Sequence, residues 1–200
     1  TVAHGLGLAP EIMICKNLSA TENWVVYVKS LGNTKRLILD TTGAVGTDAT
    51  IFNSTTPNTT IFGIGENAGA NGSGHGQIAY CFASVQGYSK ISSFVGNGNV
   101  NGPYVHLGFK PAFLMIKDTT GTGEWLVWDN KRSPSNEMTK ALAANDSLVE
   151  DTTKEMDFLS NGFKIRTTDT NYNASGNTNI FMAFAEEPFV ASNFNAATAR

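Results

Sequence analysis

LAPEIMICKNLSATENWVVYVKSL, residues Leu8–Leu31, returns as FKPAFLMIKDTTGTGEWLVWDNKR, residues Phe109–Arg132. Pro10 answers Pro111, Lys16 answers Lys117, Trp24 answers Trp125 and Tyr27 answers Trp128, each at a separation of 101. The offset persists outward from this stretch. Phe62 and Ile64 answer Phe163 and Ile165 at 101, and Asn71, Ser73, Gly74, Ile78 and Phe82 answer Asn173, Ser175, Gly176, Ile180 and Phe184 at 102. One offset with a single slip reads as a tandem duplication of a unit of about 100 residues, the size of one β-sandwich.

The periodicity inside each unit is that of strands. Glu11–Lys16 and Ala112–Lys117 are short apolar runs that follow a proline, and Trp24–Lys29 and Trp125–Asp129 are aromatic and β-branched. Asp157–Arg166 carries the turn SNG between two apolar stretches, and Ile78–Ala83 and Ile180–Ala185 are apolar near the end of each unit. Ser135–Val149 has the weak features of a helix, but the matching LGNTKRLILDTT reads as a strand, and a strand is preferred there. The fold expected is all-β: two tandem β-sandwich repeats, jelly-roll or lectin-like. The first spans 1–87, the second 88–189, and 190–200 forms a polar tail that frays. The lead-in YSKISSFVGNGNVNGP to the second unit has its counterpart before Thr1, so a preceding segment is expected.

Composition excludes several classes. Charged residues make up 16% of the chain and the net charge is −3, which gives no electrostatic basis for binding nucleic acid or an anionic membrane. No apolar run has the roughly 18 residues of a membrane-spanning helix. Cys15 and Cys81 sit in apolar runs and correspond to Ile116 and Ala183, which favours buried thiols over a disulfide or a redox pair.

Catalytic and metal-binding patterns are poorly represented. His4, His75 and His106 lack HxH, HExxH or His-plus-carboxylate spacing, and no metal or cofactor is expected. The glycines of GIGENAGANGSGHG suggest a phosphate cradle, but a strand rather than a helix follows, so a plain loop is preferred. Glu186 and Glu187, or Asp146, Glu150 and Asp151, could supply paired acids for glycoside hydrolysis. Neither group has a counterpart in the first unit, and solvated surface is the better reading. The chain is expected not to be an enzyme.

Aromatic residues remain. Trp24 and Tyr27, and likewise Trp125 and Trp128, lie three apart in strands and so face opposite sides. One ring of each pair should be core, and the other could present its face to a sugar, with Asp129, Asn130 or Arg132 bonding the hydroxyls. The candidate glycan-binding residues are therefore Trp24, Tyr27, Trp125, Trp128, Asp129 and Arg132. Burial of both rings is the competing reading. Loops 41–60, 65–77, 118–124 and 167–179 would carry further recognition.

TVAHGLGLAPEIMICKN, YCFASVQGYSKISSFVGNGNVNGPYVHLGFKPAFLMIKD, WLVWDNKRSP, DFLSNGFKIRTTDTNYNASGNTNIFMAFAEEPF and the closing FNAATAR resemble a domain of unknown function that recurs in tail proteins of tailed bacteriophages. FLSNGFKIRT and NIFMAFAE are the most specific of these. The resemblance implies a virion structural component, at or near the end of a tail fibre or tailspike, facing the host exterior. It further implies other tail proteins as partners, a homo-oligomer with a trimer favoured, and a host cell-surface glycan as receptor. The alternatives are an architectural adaptor or decorating module, and a glycan depolymerase.

Overall fold

The computed structural model describes residues 1–187. The tail expected over 190–200, and the last two positions of the second expected unit, lie outside them. The fold is all-β. The chain divides into two compact units, Thr1–Ala83 and a second that begins at Ser84. The division falls before residue 84 rather than after 87 because Ser84 Oγ accepts the Ile91 N–H and Val85 bridges to Ser89, which ties this turn to the strand that follows.

In the first unit the elements are β1 (Val2–Ala3), β2 (Ile12–Asn17), β3 (Val25–Val28), β4 (Lys35–Ile38), β5 (Gly46–Thr47), β6 (Ile61–Phe62), α1 (Ala68–Asn71) and β7 (Gln77–Phe82). They form a five-stranded antiparallel sheet, β5-β4-β3-β2-β7, and a two-stranded sheet, β1-β6. Met13, Cys15, Val25 and Tyr27 project from the larger sheet onto Ile51, Phe52, Phe62 and Ala70, which builds the core of this unit. Ile12, Ile14, Val26 and Val28 are buried as well. Strands covered on both faces read as continuous apolar runs, which is why IMIC and VVYV lack alternation.

The second unit contains β8 (Ser89–Val95), β9 (Tyr104–His106), β10 (Pro111–Asp118), β11 (Leu126–Asp129), β12 (Leu142–Ala143), β13 (Met156–Leu159), β14 (Gly162–Ile165), α2 (Thr170–Asn173) and β15 (Thr178–Ala185). Its sheets run β12-β11-β10-β15-β8 and β13-β14-β9. Leu114, Ile116, Leu126 and Trp128 of the larger sheet meet Phe158, Phe163 and Ile165 of the smaller one in a single core. The β13–β14 hairpin closes through Ser160 and Asn161, as the SNG signal anticipates. Gly162 is required by close packing: a Cβ there would lie 2.1 Å from the Val105 carbonyl oxygen.

Equivalent strands pair in equivalent registers. Ile12 faces Val28 as Phe113 faces Asp129, and Met13 faces Cys81 as Leu114 faces Ala183. Ala3 faces Ile61 as His106 faces Gly162, so His4 and His106 do not occupy equivalent positions. The stretch 135–149 is extended, with bridges at Met138 and Ala141 ahead of β12. Helix occurs instead where plain loops are expected, as the single turns α1 and α2. Asn67 and Asp169 cap them by accepting the backbone N–H groups of Gly69 and Asn171. Four residues are too few to leave a helical period in the sequence.

Candidate functional site

Of the four aromatic rings weighed as sugar platforms, Tyr27, Trp125 and Trp128 are in the interior. The first pair divides into one core ring and one partly exposed ring, whereas both rings of the second are buried, and the platform expected from Trp125 or Trp128 is corrected. Tyr27 is buried edge-on against Phe52, with ring centroids 5.2 Å apart. Trp128 is fully buried, its Nε1–H donates to the Lys154 carbonyl at 2.9 Å, and its ring meets Tyr172 at 5.1 Å. Trp125 is also buried, outside the core cluster around Trp128, and its backbone N–H donates to Asn145 Oδ1. Opposite-facing side chains follow from strand geometry, but an outward-facing ring is free only where nothing covers that face. Trp24 alone is partly exposed. It stands just before β3, its N–H donates to Asp40 Oδ1, and the Lys16 ammonium lies 5.8 Å from its ring centroid.

Asp129 and Arg132 are brought together, but mainly to satisfy each other. Asp129 Oδ1 accepts the N–H groups of Lys131 and Arg132, and Oδ2 accepts Arg132 Nε at 2.5 Å. Burial pulls the Asp129 carboxyl up, yet the guanidinium and the two backbone donors outweigh it and hold the group below the usual carboxylate range. Arg132 Nη1 also reaches Glu150 at 3.5 Å. The pair locks the turn that leaves β11. Beside it, a polar pocket of about 150 Å³ is lined by Lys110, Asn130, Ser133, Ser135 and Asn136, with Phe158 and Met138 among its apolar lining. Glu186 bridges Lys110 at 2.7 Å and Asn130 at 2.7 Å, and the bond from the Lys110 ammonium holds its carboxyl low.

In the first unit two of the loops singled out in the sequence, 41–60 and 65–77, meet at a second polar pocket of about 120 Å³. Arg36 of β4 and Asp48, with Nε and Oδ2 3.7 Å apart, line it together with Glu22, Asn23 and Asn67. Ile51 and Phe52 bury the centre of loop 41–60 and so fix it to the core. Gly65 lets the second loop approach: a Cβ there would stand 1.9 Å from the Thr50 carbonyl oxygen. Close backbone packing thus accounts for this glycine of the GIGENAGANGSGHG run. Trp24 lies in the chain between Asn23 and Val25, both of which line the pocket. Sequence reasoning found the loops and missed Arg36, Asp48 and Glu22, because nothing in their spacing announces that a strand, a loop and a turn converge.

The loops after β2 and β10 are pinned alike. Asn17 Oδ1 accepts the N–H groups of Ser19 and Ala20, and its Nδ2 reaches the Ala68 carbonyl and His75 Nδ1. Asp118 Oδ1 accepts from Thr120 and Gly121, while Oδ2 accepts Asn177 Nδ2 at 2.6 Å. His75 is therefore part of a loop pin. His4 bonds the Asn58 carbonyl and the Leu6 N–H, and His106 contacts the Tyr104 hydroxyl. Among the described residues no three His, Cys, Asp or Glu side chains converge as metal ligands.

The acids considered for hydrolysis are mostly engaged. Glu150 faces Arg132 and Lys140, while Asp151 accepts the N–H and hydroxyl of Thr153 and faces Lys154. Burial pulls the Asp151 carboxyl up, and these donors bring it below the usual range.

A family model described as a domain of unknown function, DUF7483, matches residues 1–188 and so runs through both units. No curated protein and no solved structure matches the chain.

Proposed function

We propose that this chain, which belongs to the DUF7483 family of domains of unknown function, is a structural component of a bacteriophage tail fibre or tailspike that contacts host-surface glycan. Its place is the virion tail, facing outward, among other tail proteins and in a symmetric homo-oligomer, with a trimer preferred. The two units are read as tandem copies of one β-sandwich. The shared registers of β2, β3 and β7 with β10, β11 and β15 support that reading, as does a family match that spans both. The virion setting rests on the stretches that resemble phage tail domains.

The observation that carries the binding role is the pocket of Glu22, Asn23, Arg36, Asp48 and Asn67. Planar polar side chains on loops anchored to a rigid sheet suit a hydroxyl-rich ligand, and weak sites of this size gain avidity when repeated on an oligomer. Binding is favoured over hydrolysis because a glycosidase needs a general acid of raised pKa, whereas Asp151 is held low mainly by the Thr153 donors and Glu186 by the Lys110 ammonium.

The test is binding of the purified protein to host cells and to a glycan array, beside Arg36→Ala and Glu22→Ala. Both variants should bind at least about tenfold more weakly while melting like the parent, the loss expected of one charged contact. Unchanged binding in both would move the site elsewhere. A parent protein that binds no cell and no glycan would remove the receptor role.

A further inference from the structure

The two larger sheets differ at one edge. In the second unit β15 lies between β10 and β8, and β8 pairs with it from Thr178↔Val95 to Phe184↔Ser89. Among the described residues its equivalent β7 is the end strand of its sheet, with β2 on one side only. Burial follows this difference: Asn179–Ala183 are all buried, whereas every residue of β7 is partly exposed and Tyr80 is 45% exposed.

The direction of the free groups follows from ladder alternation. Leu18 N–H donates to the Gly76 carbonyl, so Gly76, Ile78 and Tyr80 turn their backbone groups toward β2 and Gln77, Ala79 and Cys81 turn theirs away. The second unit shows what meets them. Thr119 N–H donates to the Thr178 carbonyl, and Gly96 N–H donates to the Asn177 carbonyl on the other side, so Asn179, Phe181 and Ala183 bond β8. These are the positions of Gln77, Ala79 and Cys81.

A socket lies beside this edge. In the second unit Phe94 of β8, opposite Asn179, packs its ring 5.8 Å from Phe163 and 6.4 Å from Phe181. The equivalents of those two neighbours are Phe62 and Ala79, and both line an apolar pocket of about 160 Å³ together with Val2, Cys15, Ala70 and Gln77. The smaller Ala79 side chain leaves room that Phe181 fills in the second unit. A cavity of about 150 Å³ accommodates a benzene ring. The Gln77 amide Nε2 and Oε1 are buried at this socket without a hydrogen-bond partner among the described residues.

We propose that the outer edge of β7 and this socket form the seat of a further antiparallel strand with the side-chain pattern of β8, supplied in cis by polypeptide leading into β1. The strand bonds Gln77, Ala79 and Cys81 through its backbone and places an aromatic ring opposite Gln77, in contact with Phe62. Strand addition of this kind takes its affinity from the main chain and its register from the side chain in the pocket. The cis source follows from connectivity, since β8 leads directly into β9 and β9 holds the place of β1: Val105 faces Phe163 as Val2 faces Phe62. An unpaired edge exposes a row of donors and acceptors to any chain that can pair with it, and a strand donated in cis removes that hazard.

The test appends a copy of residues 88–103 directly ahead of Thr1, which reproduces the spacing of β8 to β9, and follows amide hydrogen exchange. The Gln77, Ala79 and Cys81 amides should exchange at least about tenfold more slowly than in the parent chain, while the β2-bonded Ile78 and Tyr80 serve as internal references. An appended copy carrying Phe94→Asp should lose that protection, and Ala79→Trp, which fills the socket, should lower it in a chain that still melts cooperatively. Equal exchange at Gln77, Ala79 and Cys81 with and without the appended strand would overturn the proposal. So would concentration-dependent protection of these amides in a dimer of the parent chain, which would assign the edge to a second copy.

Discussion

Replacing Trp128 by Phe separates a core ring from a ligand platform. The indole is fully buried, donates to the Lys154 carbonyl at 2.9 Å and stands edge-on to Tyr172. Trp128→Phe leaves that carbonyl without its donor, a cost of about 1–3 kcal/mol. The smaller ring also loses buried area and part of the contact with Tyr172, which adds about 1 kcal/mol. A total near 3 kcal/mol should lower the melting temperature of a unit of this size by about 12–20 °C. The partly exposed Trp24 provides the contrast. Trp24→Phe weakens the contact with the Lys16 ammonium and removes little packing, so it should cost under about 1 kcal/mol. Thermal denaturation by circular dichroism, run beside the cell-binding assay, decides the matter. If Trp128→Phe melts within about 2 °C of the parent and binding is lost, the ring is a ligand platform and the reasoning from burial fails.

Two further outcomes follow from buried titrating groups. Asp169 is drawn up by burial but held below the usual carboxylate range by the bond from Lys154 and by the Asn171 donors, in an ion pair whose side chains are 12% and 17% exposed. Its stabilisation is complete above the unfolded carboxyl pKa of about 4 and is lost as pH falls from there through the lower value of the folded carboxyl. Asp169→Ala should cost about 3 kcal/mol at neutral pH and flatten the acid limb of a urea-midpoint profile; a variant with the parent's acid limb would refute this. The Cys15 thiol is pushed up to about 12 by burial, with a further contribution from Cys81. In folded protein at pH 8 the Cys15 thiol should therefore resist an aromatic disulfide reagent until the chain unfolds, and Cys15 should withdraw stability as pH rises from about 9, where the unfolded thiol ionises. Rapid stoichiometric labelling of Cys15 in folded protein would contradict its enclosure.

The parts of this fold that were legible in the sequence are those in which backbone geometry repeats. The offset linking Trp24 to Trp125 located β3 and β11, and SNG located the β13–β14 hairpin. The turns α1 and α2 were not legible, since they depend on one side-chain cap each. The site was legible only as loops. Trp125 and Trp128 were read by counting residues along a strand, and that count fixes direction without fixing what lies beyond. Arg36 meets Asp48 because β4 pairs with β5 and the next turn folds back, a tertiary outcome with no local signature.

The same comparison separates scaffold from recognition chemistry. Asn17 and Asp118 perform one task at equivalent positions, as do the caps Asn67 and Asp169, so these side chains hold loops in both units. The polar pockets do not correspond in this way. Lys110 and Glu186, which bridge at 2.7 Å, fall at the positions of Ala9 and Ser84, so the first unit has no equivalent pair. In the other direction, Glu22 of the first-unit pocket falls at the position of Gly123, which packs against the Asn171 backbone, and Asn23 falls at that of Glu124, which Asn145 holds. Shared pins with unshared pocket chemistry mean that two binding units built on this scaffold would present different donors and acceptors. Arg36→Ala and Lys110→Ala should then weaken binding to different glycans, and identical losses across an array would place recognition on the shared frame.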